Sequence, residues 1–577
     1  MQNTLPGIAE KLRSGHYNTA FKQARAGAKK NPKVAAFPKL AGIALFHQNK
    51  GREAVSYLTK ALKLSSQDNE IKHYLAASLL AADLAQKAQL ALQRWLLETP
   101  DDAELHYLLT ACHMQLEDYA KAVESADSGL SKSPRLVKLQ TMRGLAHFEL
   151  QEHTAALADF TAASKAEPMN PEHWRNLGSV QSDQALPEEA MASFRRALDL
   201  APEDFEARQN VAKLAAELGD FDVAIPELRK LLEIDPFCVI SLARLLELET
   251  ADKEEDIIKL ARAALKSAAL NDEDKSTVEV SLGARLLKHG DTKSALSHLA
   301  AANALRARIF PYYPEATAAD LRKTQALFQA GVSRKVVQDE TTPSPIFVIG
   351  QPRSGTTLTE MVLSAHSQVE SLGELDGLTD IAINAISTGD WSSSDHRAEF
   401  LRAVPPLKPE TLAFVDKTPQ NFLFLGFLAD AFPNARFIDV QRDPREVALS
   451  LWQKHLSGYL TFYSSRMDWM AHAANQYRQY MLHWETLFSD RIMSIRYENL
   501  VADLPKISRE MADFCGLEWE ETMLHPEKTT AAVRTSSLQQ VRQQVHTSSL
   551  GKWRSYPGLF DEFQANLDPE LWPELDL

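Results

Sequence analysis

Small apolar residues return at a fixed interval from the N-terminus to Pro236. Alanine stands at Ala20, Ala54, Ala88, Ala122, Ala156, Ala190 and Ala224, a constant step of thirty-four positions. Twelve positions after each comes Pro32, Pro100, Pro134, Pro168, Pro202 or Pro236, with Ser66 in the one gap, and twelve before there is often a small residue (Gly42, Ala76, Gly144, Gly178, Ala212). Self-similarity of this kind predicts a repeat architecture of seven units over 1–236. Past Pro236 the register lapses, since Ile258 occupies the next position. Gly290-Asp291-Thr292-Lys293-Ser294-Ala295 has the look of another inter-helix corner, so 237–340 is expected to hold further helical hairpins and a linker. Pro311, Pro314 and Thr341-Thr342-Pro343-Ser344-Pro345 mark a boundary before a domain at 341–577.

There the pattern changes to short apolar runs rich in β-branched and aromatic residues. Ile346–Ile349, Thr411–Val415, Phe437–Val440 and Arg491–Tyr497 predict strands, and Thr356 to about Leu363 a helix. The expected fold is therefore multidomain, an all-α repeat solenoid followed by an α/β domain with a mostly parallel sheet. Seven aromatics between Tyr459 and Trp484 fall at helical spacing, which predicts core packing.

The repeat resembles the tetratricopeptide repeat, most clearly in the unit with Trp174, Leu177, Gly178, Ala190, Phe194, Ala197 and Pro202. Small residues sit where the two helices of a unit press together, and proline ends the second helix. The resemblance implies protein or peptide recognition.

Composition narrows the class. The chain of 577 residues is too long for one core, and 45% hydrophobic with 24% charged residues describes a soluble globular protein. No apolar run approaches the about 18 residues that a membrane span needs, and no secretory signal is legible, so neither a span nor export is expected. Cys112, Cys238 and Cys515 lie far apart without ligand spacing, which points to a reducing, cytoplasmic setting and no structural zinc. A net charge of −14 argues against nucleic-acid binding, although the stretch 1–60 carries eleven Lys/Arg against Glu10 and Glu53.

The chemistry concentrates at Gly350-Gln351-Pro352-Arg353-Ser354-Gly355-Thr356-Thr357. A strand, a glycine-flanked turn and a helix start gather backbone N–H groups and the positive helix end onto one anion. A triphosphate loop would carry lysine where Thr356 stands, and here the cation is Arg353 instead. Pro352–Thr357 resemble the 5′-phosphosulfate loop of the sulfotransferase superfamily. That implies 3′-phosphoadenosine 5′-phosphosulfate as co-substrate, with Arg353, Ser354, Gly355, Thr356 and Thr357 at its 5′ end and no metal.

Other elements extend this resemblance. Glu374, after Gly373 and twenty-one positions beyond Arg353, corresponds to the catalytic base of tyrosylprotein sulfotransferases and related bacterial repeat-fused enzymes. That branch sets arginines after the glutamate to read acidic acceptors, where Asp376 and Asp380 stand here. His366 is read as structural. Lys417-Thr418-Pro419 resembles the family's K-x-P element, with Lys417 meeting the bridging oxygen and sulfonate. Arg442 and Ser450, eight positions apart around a helix start with Asp443 as N-cap and Pro444 at its first position, resemble the 3′-phosphate site. Arg445 and Lys454 are read as surface residues. Tyr497-Glu498-Asn499-Leu500 resembles the Y-E-x-L element, making Tyr497 a nucleotide contact. In the tail, Ser537 is implied to steady the sulfonate and Lys552 to contact a donor phosphate. The expected activity is sulfuryl transfer to a hydroxyl acceptor. An ATP-dependent kinase of the P-loop type, or a repeat scaffold with an inactive transferase half, are the alternatives.

Overall fold

The computed structural model describes residues 4–184, 186–248, 254–329, 343–375, 379–388, 397–398, 400–402, 404–454, 459–528, 545–547 and 550–575. Its residues fall into two compact units, Met1–Leu231 and Leu232–Leu577.

The first unit is an all-helical array. Helices pair in succession, from Leu5–Arg13 with Tyr17–Lys30 to Phe205–Leu218 with Phe221–Ile234. The periodic alanines from Ala20 to Ala224 have no exposed surface. The small residue twelve positions earlier is needed for the same contact. A Cβ on Gly42, Gly144 or Gly178 would come within 2.4, 2.8 or 2.6 Å of Leu58, Phe160 or Phe194, in each case the residue sixteen positions on.

The corner between paired helices recurs too. Asn49, Asp83, Glu117 and Gln151, each five positions before a periodic alanine, adopt φ of 57–62°, where Gly15 and Gly219 stand in other units. A side chain with left-handed backbone costs on the order of 1 kcal/mol. Gln151→Gly is therefore expected to raise the melting temperature of the repeat region by about 2 °C. An unchanged or lower value by calorimetry would mean that side-chain contacts outweigh the strain.

In the second unit the repeat geometry resumes, which the sequence register did not reveal. Ala261 and Ala295 are again thirty-four positions apart and fully buried, and a Cβ on Gly283 would meet Leu299 at 2.7 Å, sixteen positions on. Ala261 lies thirty-seven positions after Ala224, so an insertion of three shifts the phase and hides the continuation. The corner expected at Gly290 is present, with φ of 82°. Helices Asp272–Lys288, Thr292–Ile309 and Pro314–Leu327 share a core with the sheet, to which Leu299, Leu321 and Phe328 contribute. Buried Asn303 donates to the Trp452 carbonyl at 2.9 Å.

Five parallel strands form that sheet: β1 (Ser344–Gly350), β2 (Val369–Ser371), β3 (Ala413–Asp416), β4 (Arg436–Gln441) and β5 (Ile492–Arg496), in the order β2-β3-β1-β4-β5. Alternation explains why both faces are covered. Ile346, Val348, Val415 and Ile438 enter one apolar cluster, and Phe347, Ile349, Phe414 and Phe437 the other. One inner position of β4 breaks the apolar rule. Asp439 is buried on the second face and held by Tyr477 (2.6 Å), Gln441 (2.9 Å) and Ser494 (3.2 Å). Tyr463, Tyr477, Tyr480 and Trp484 are core residues, as their spacing predicts.

Candidate active site

The chain leaves β1 toward β2 on one side of the sheet and β4 toward β5 on the other. The carboxyl ends of β1 and β4 thus flank the point where the strand order reverses, the usual ligand position in such sheets. The turn after β1 and Arg442, just after β4, both lie there.

The turn is tightly constrained. Gly350 and Gly355 have φ of 146° and 114°. A Cβ on Gly350 would lie 2.7 Å from the Val440 carbonyl oxygen, and one on Gly355 would lie 2.3 Å from the Tyr497 ring. Arg353 is itself left-handed, at φ 73°. Two residues hold it there: Arg442 Nη1 donates to the Arg353 carbonyl (3.1 Å), and Arg353 Nε donates to Ser450 Oγ (2.9 Å). The Arg442 guanidinium stacks on the Tyr497 ring at 4.5 Å. The helix Thr356–Ser364 follows with no side-chain cap on its first amides, and Thr356 and Thr357 are buried. Ser354 is 1% exposed, and its Oγ has no hydrogen-bond partner among the described residues.

Cations crowd this corner. Burial and then the charge of Arg442 pull the Arg353 guanidinium below its ordinary range, and burial and then Arg353 do the same to the Lys454 ammonium. Lys454 is half-buried and feels the Arg353 charge, rather than being a surface lysine. Arg445 also departs from the surface reading. It is buried because it pairs with Asp443 at 2.8 and 3.0 Å and stacks on Trp553 at 4.2 Å. Glu446 lies 3.9 Å from Arg442 and accepts from the amides of Lys552 and Trp553, which pins the tail against the helix Pro444–Trp452. The Lys552 side chain is exposed.

The other half of the site stands past β3. Lys417 is 1% exposed, and its Nζ donates to Glu374 Oε1, while Glu374 is 48% exposed. The Lys417 amide donates to the Gly373 carbonyl at 2.8 Å, which ties the two segments together. Glu360, unremarked in the sequence, lies 3.9 Å from Lys417 Nζ. Its only signal was a carboxylate interrupting the otherwise uncharged run Thr356–Leu363. His366 is buried and bonded to the Glu518 carbonyl at 2.7 Å, in keeping with a structural role. Ser537 and Asp376 lie outside the described residues. Thus Arg353, Arg442, Ser450 and Tyr497 meet at one contact, and Glu374 and Lys417 at a second.

Beneath Lys417, Asp416 is fully buried and accepts from Thr418 (2.7 Å) and Asn421 (3.2 Å). Burial, opposed by these bonds, raises its pKa to about 7, and Asp439 is raised by burial to about 6. For a carboxyl raised on folding, the native state binds more protons than the unfolded one between the two values. Stability therefore falls as pH rises from about 4 toward 7. Melting temperatures between pH 5 and 8 should decline less in Asp416→Asn than in the wild type. An equal slope would show that Asp416 titrates normally.

The repeat array and the parallel α/β domain with its basic turn define the class: a helical repeat protein that continues into a parallel α/β domain with a glycine-flanked basic turn after its first strand. Residues 345–398 and 388–521 match the sulfotransferase family, and 45–112, 141–205 and 179–237 match tetratricopeptide repeats. The chain therefore carries tetratricopeptide repeats followed by a domain of the sulfotransferase family. It is 28% identical over 432 residues to an uncharacterised protein of Aquifex aeolicus, a match covering 70% of this chain and 56% of that protein's own length. It is 28% identical over 228 residues to a putative protein-tyrosine sulfotransferase of Caenorhabditis briggsae (36% of this chain, 80% of that one). With protein-tyrosine sulfotransferase 1 of Danio rerio it shares 24% identity over 241 residues (36% and 65%). No helix among the described residues is long and apolar enough to cross a membrane, and none of their His, Cys, Asp and Glu side chains cluster as a metal site.

Proposed function

We propose that the protein transfers a sulfuryl group from 3′-phosphoadenosine 5′-phosphosulfate to a hydroxyl acceptor, with the repeats recruiting the acceptor or a partner. The observation that carries this reading is the meeting of Arg353, Arg442 and Ser450. A turn suited to one phosphate is there bonded directly to residues suited to a second. Gathering the like charges of Arg353, Arg442 and Lys454 in a partly buried corner also favours an anionic ligand. The residues fit such a ligand: the uncapped amides of the helix at Thr356 and the buried Ser354 hydroxyl suit its 5′-phosphate. Arg442 and Ser450, with Lys454 beside them, suit the 3′-phosphate, and Tyr497 braces both. Lys552 would add charge from the tail.

The bound donor would supply an activated sulfonate. Glu374 would accept the proton of the acceptor hydroxyl as its oxygen bonds to sulfur and the sulfur–oxygen bond to the 5′-phosphate breaks. Lys417, together with Arg353, would stabilise the charge left on that phosphate oxygen, giving adenosine 3′,5′-bisphosphate. Ser537 is proposed to steady the sulfonate.

Adenosine 3′,5′-bisphosphate should raise the melting temperature by several degrees at millimolar concentration, and ATP with magnesium should not. Stabilisation by ATP–magnesium alone would reject the reading in favour of a kinase.

A further inference from the structure

Lys417 stands between two carboxylates that differ in kind. Glu374 reaches it from the turn after β2 and is half exposed. Glu360 reaches it at 3.9 Å from the helix Thr356–Ser364 and is only 9% exposed. Asp416, next to it on β3, also bears on this ammonium. Glu360 also receives the Ser371 hydroxyl at 2.5 Å and the Gly373 amide, so it grips the turn that carries Glu374.

We propose, on the transferase reading above, that Glu360 is a positioning residue whose buried carboxylate holds the Lys417 ammonium at the transfer centre while Glu374 leaves it. The two carboxylates cannot exchange these tasks. A base must turn toward the acceptor, and only Glu374 has the exposure to do so. Once Glu374 has taken the acceptor's proton its charge is gone, and a fully buried ammonium would be left with little to balance it. Glu360 keeps that charge in place because it is anchored at two points and shielded from solvent. Burial raises the Glu360 carboxyl above its ordinary range, and the charge of Lys417 and the Ser371 hydroxyl oppose that rise. By the same contacts Glu360 fixes the spacing between the phosphate turn's helix and the segment bearing the base.

Transfer of labelled sulfate into cell lysate by the full-length protein, set beside calorimetric binding of adenosine 3′,5′-bisphosphate at pH 7, tests this. Glu360→Gln should bind the bisphosphate within about threefold of wild type and transfer about tenfold more slowly, because the Lys417 ammonium loses the carboxylate that holds it when Glu374 turns away. Glu360→Asp, which keeps the charge, should transfer within about threefold of wild type. Should Glu360→Gln not fold, Glu360→Met has similar volume and no polar atom to desolvate, and the same loss of transfer is expected. Undiminished transfer in the neutral variants would overturn the proposal, as would a further tenfold loss when Glu360→Gln is added to Lys417→Met. A wild type that transfers no label would instead remove the transferase reading itself.

Discussion

Arg442→Ala should weaken binding of adenosine 3′,5′-bisphosphate by about a hundredfold, on the order of 3 kcal/mol, the cost of removing one partner from a buried ionic contact. One guanidinium performs three tasks. It faces the proposed 3′-phosphate, donates to the Arg353 carbonyl at 3.1 Å and stacks on Tyr497 at 4.5 Å. The second and third support the phosphate turn, where Arg353 has left-handed backbone that needs such support. Adenosine 5′-phosphate, which lacks the 3′ group, should therefore lose only about tenfold, the share owed to the slackened turn. Arg442→Lys should fall between, because an ammonium keeps the charge but not the fork that spans carbonyl and phosphate. Calorimetry with both nucleotides checks this. Equal losses for the two would place the 3′-phosphate elsewhere.

Lys417→Met and Glu374→Gln should each reduce labelled-sulfate transfer from donor into cell lysate by about a thousandfold, while bisphosphate affinity at neutral pH changes by less than tenfold. The asymmetry follows from geometry. Both lie past the ends of β2 and β3, where they bond to each other. The two substitutions should also fail to add, since the carboxylate and the ammonium touch and act on one event. A double variant no worse than either single one is the expected result. Full additivity would mean that the pair act independently, and transfer undiminished in Glu374→Gln would assign the base elsewhere.

Much of this architecture was legible along the chain because it is governed by local rules. The regular recurrence of alanine reflects a contact each unit makes with itself, sixteen positions from Gly42 to Leu58 or from Gly178 to Phe194. A tight turn with glycines at positive φ likewise has a short sequence signature, and so does the helix start at Asp443-Pro444, where Asp443 caps the Arg445 amide. The phase shift of three before Ala261 defeated the same reasoning, since periodicity is read by counting and one insertion resets the count. The short strand β2 was missed because its pairing with β3 rather than any pattern of its own makes it a strand.

Local pattern along the chain is therefore enough for the elements and the side chains each one carries: a repeat array, a glycine-flanked basic turn, an arginine and serine flanking a helix start, a lysine after a strand. Which of them meet was decided by the fold. Arg445 and Arg442 differ by three positions on one chain segment, yet one turns to Asp443 and Trp553 and the other to Arg353, because strand order sets β4 beside β1. Glu360 acquires its place only when β2 and β3 bring Ser371 and Lys417 to the same helix. Electrostatic and hydrogen-bond energies depend on distances across the fold, and residues far apart in the chain have no such distance until the sheet assembles.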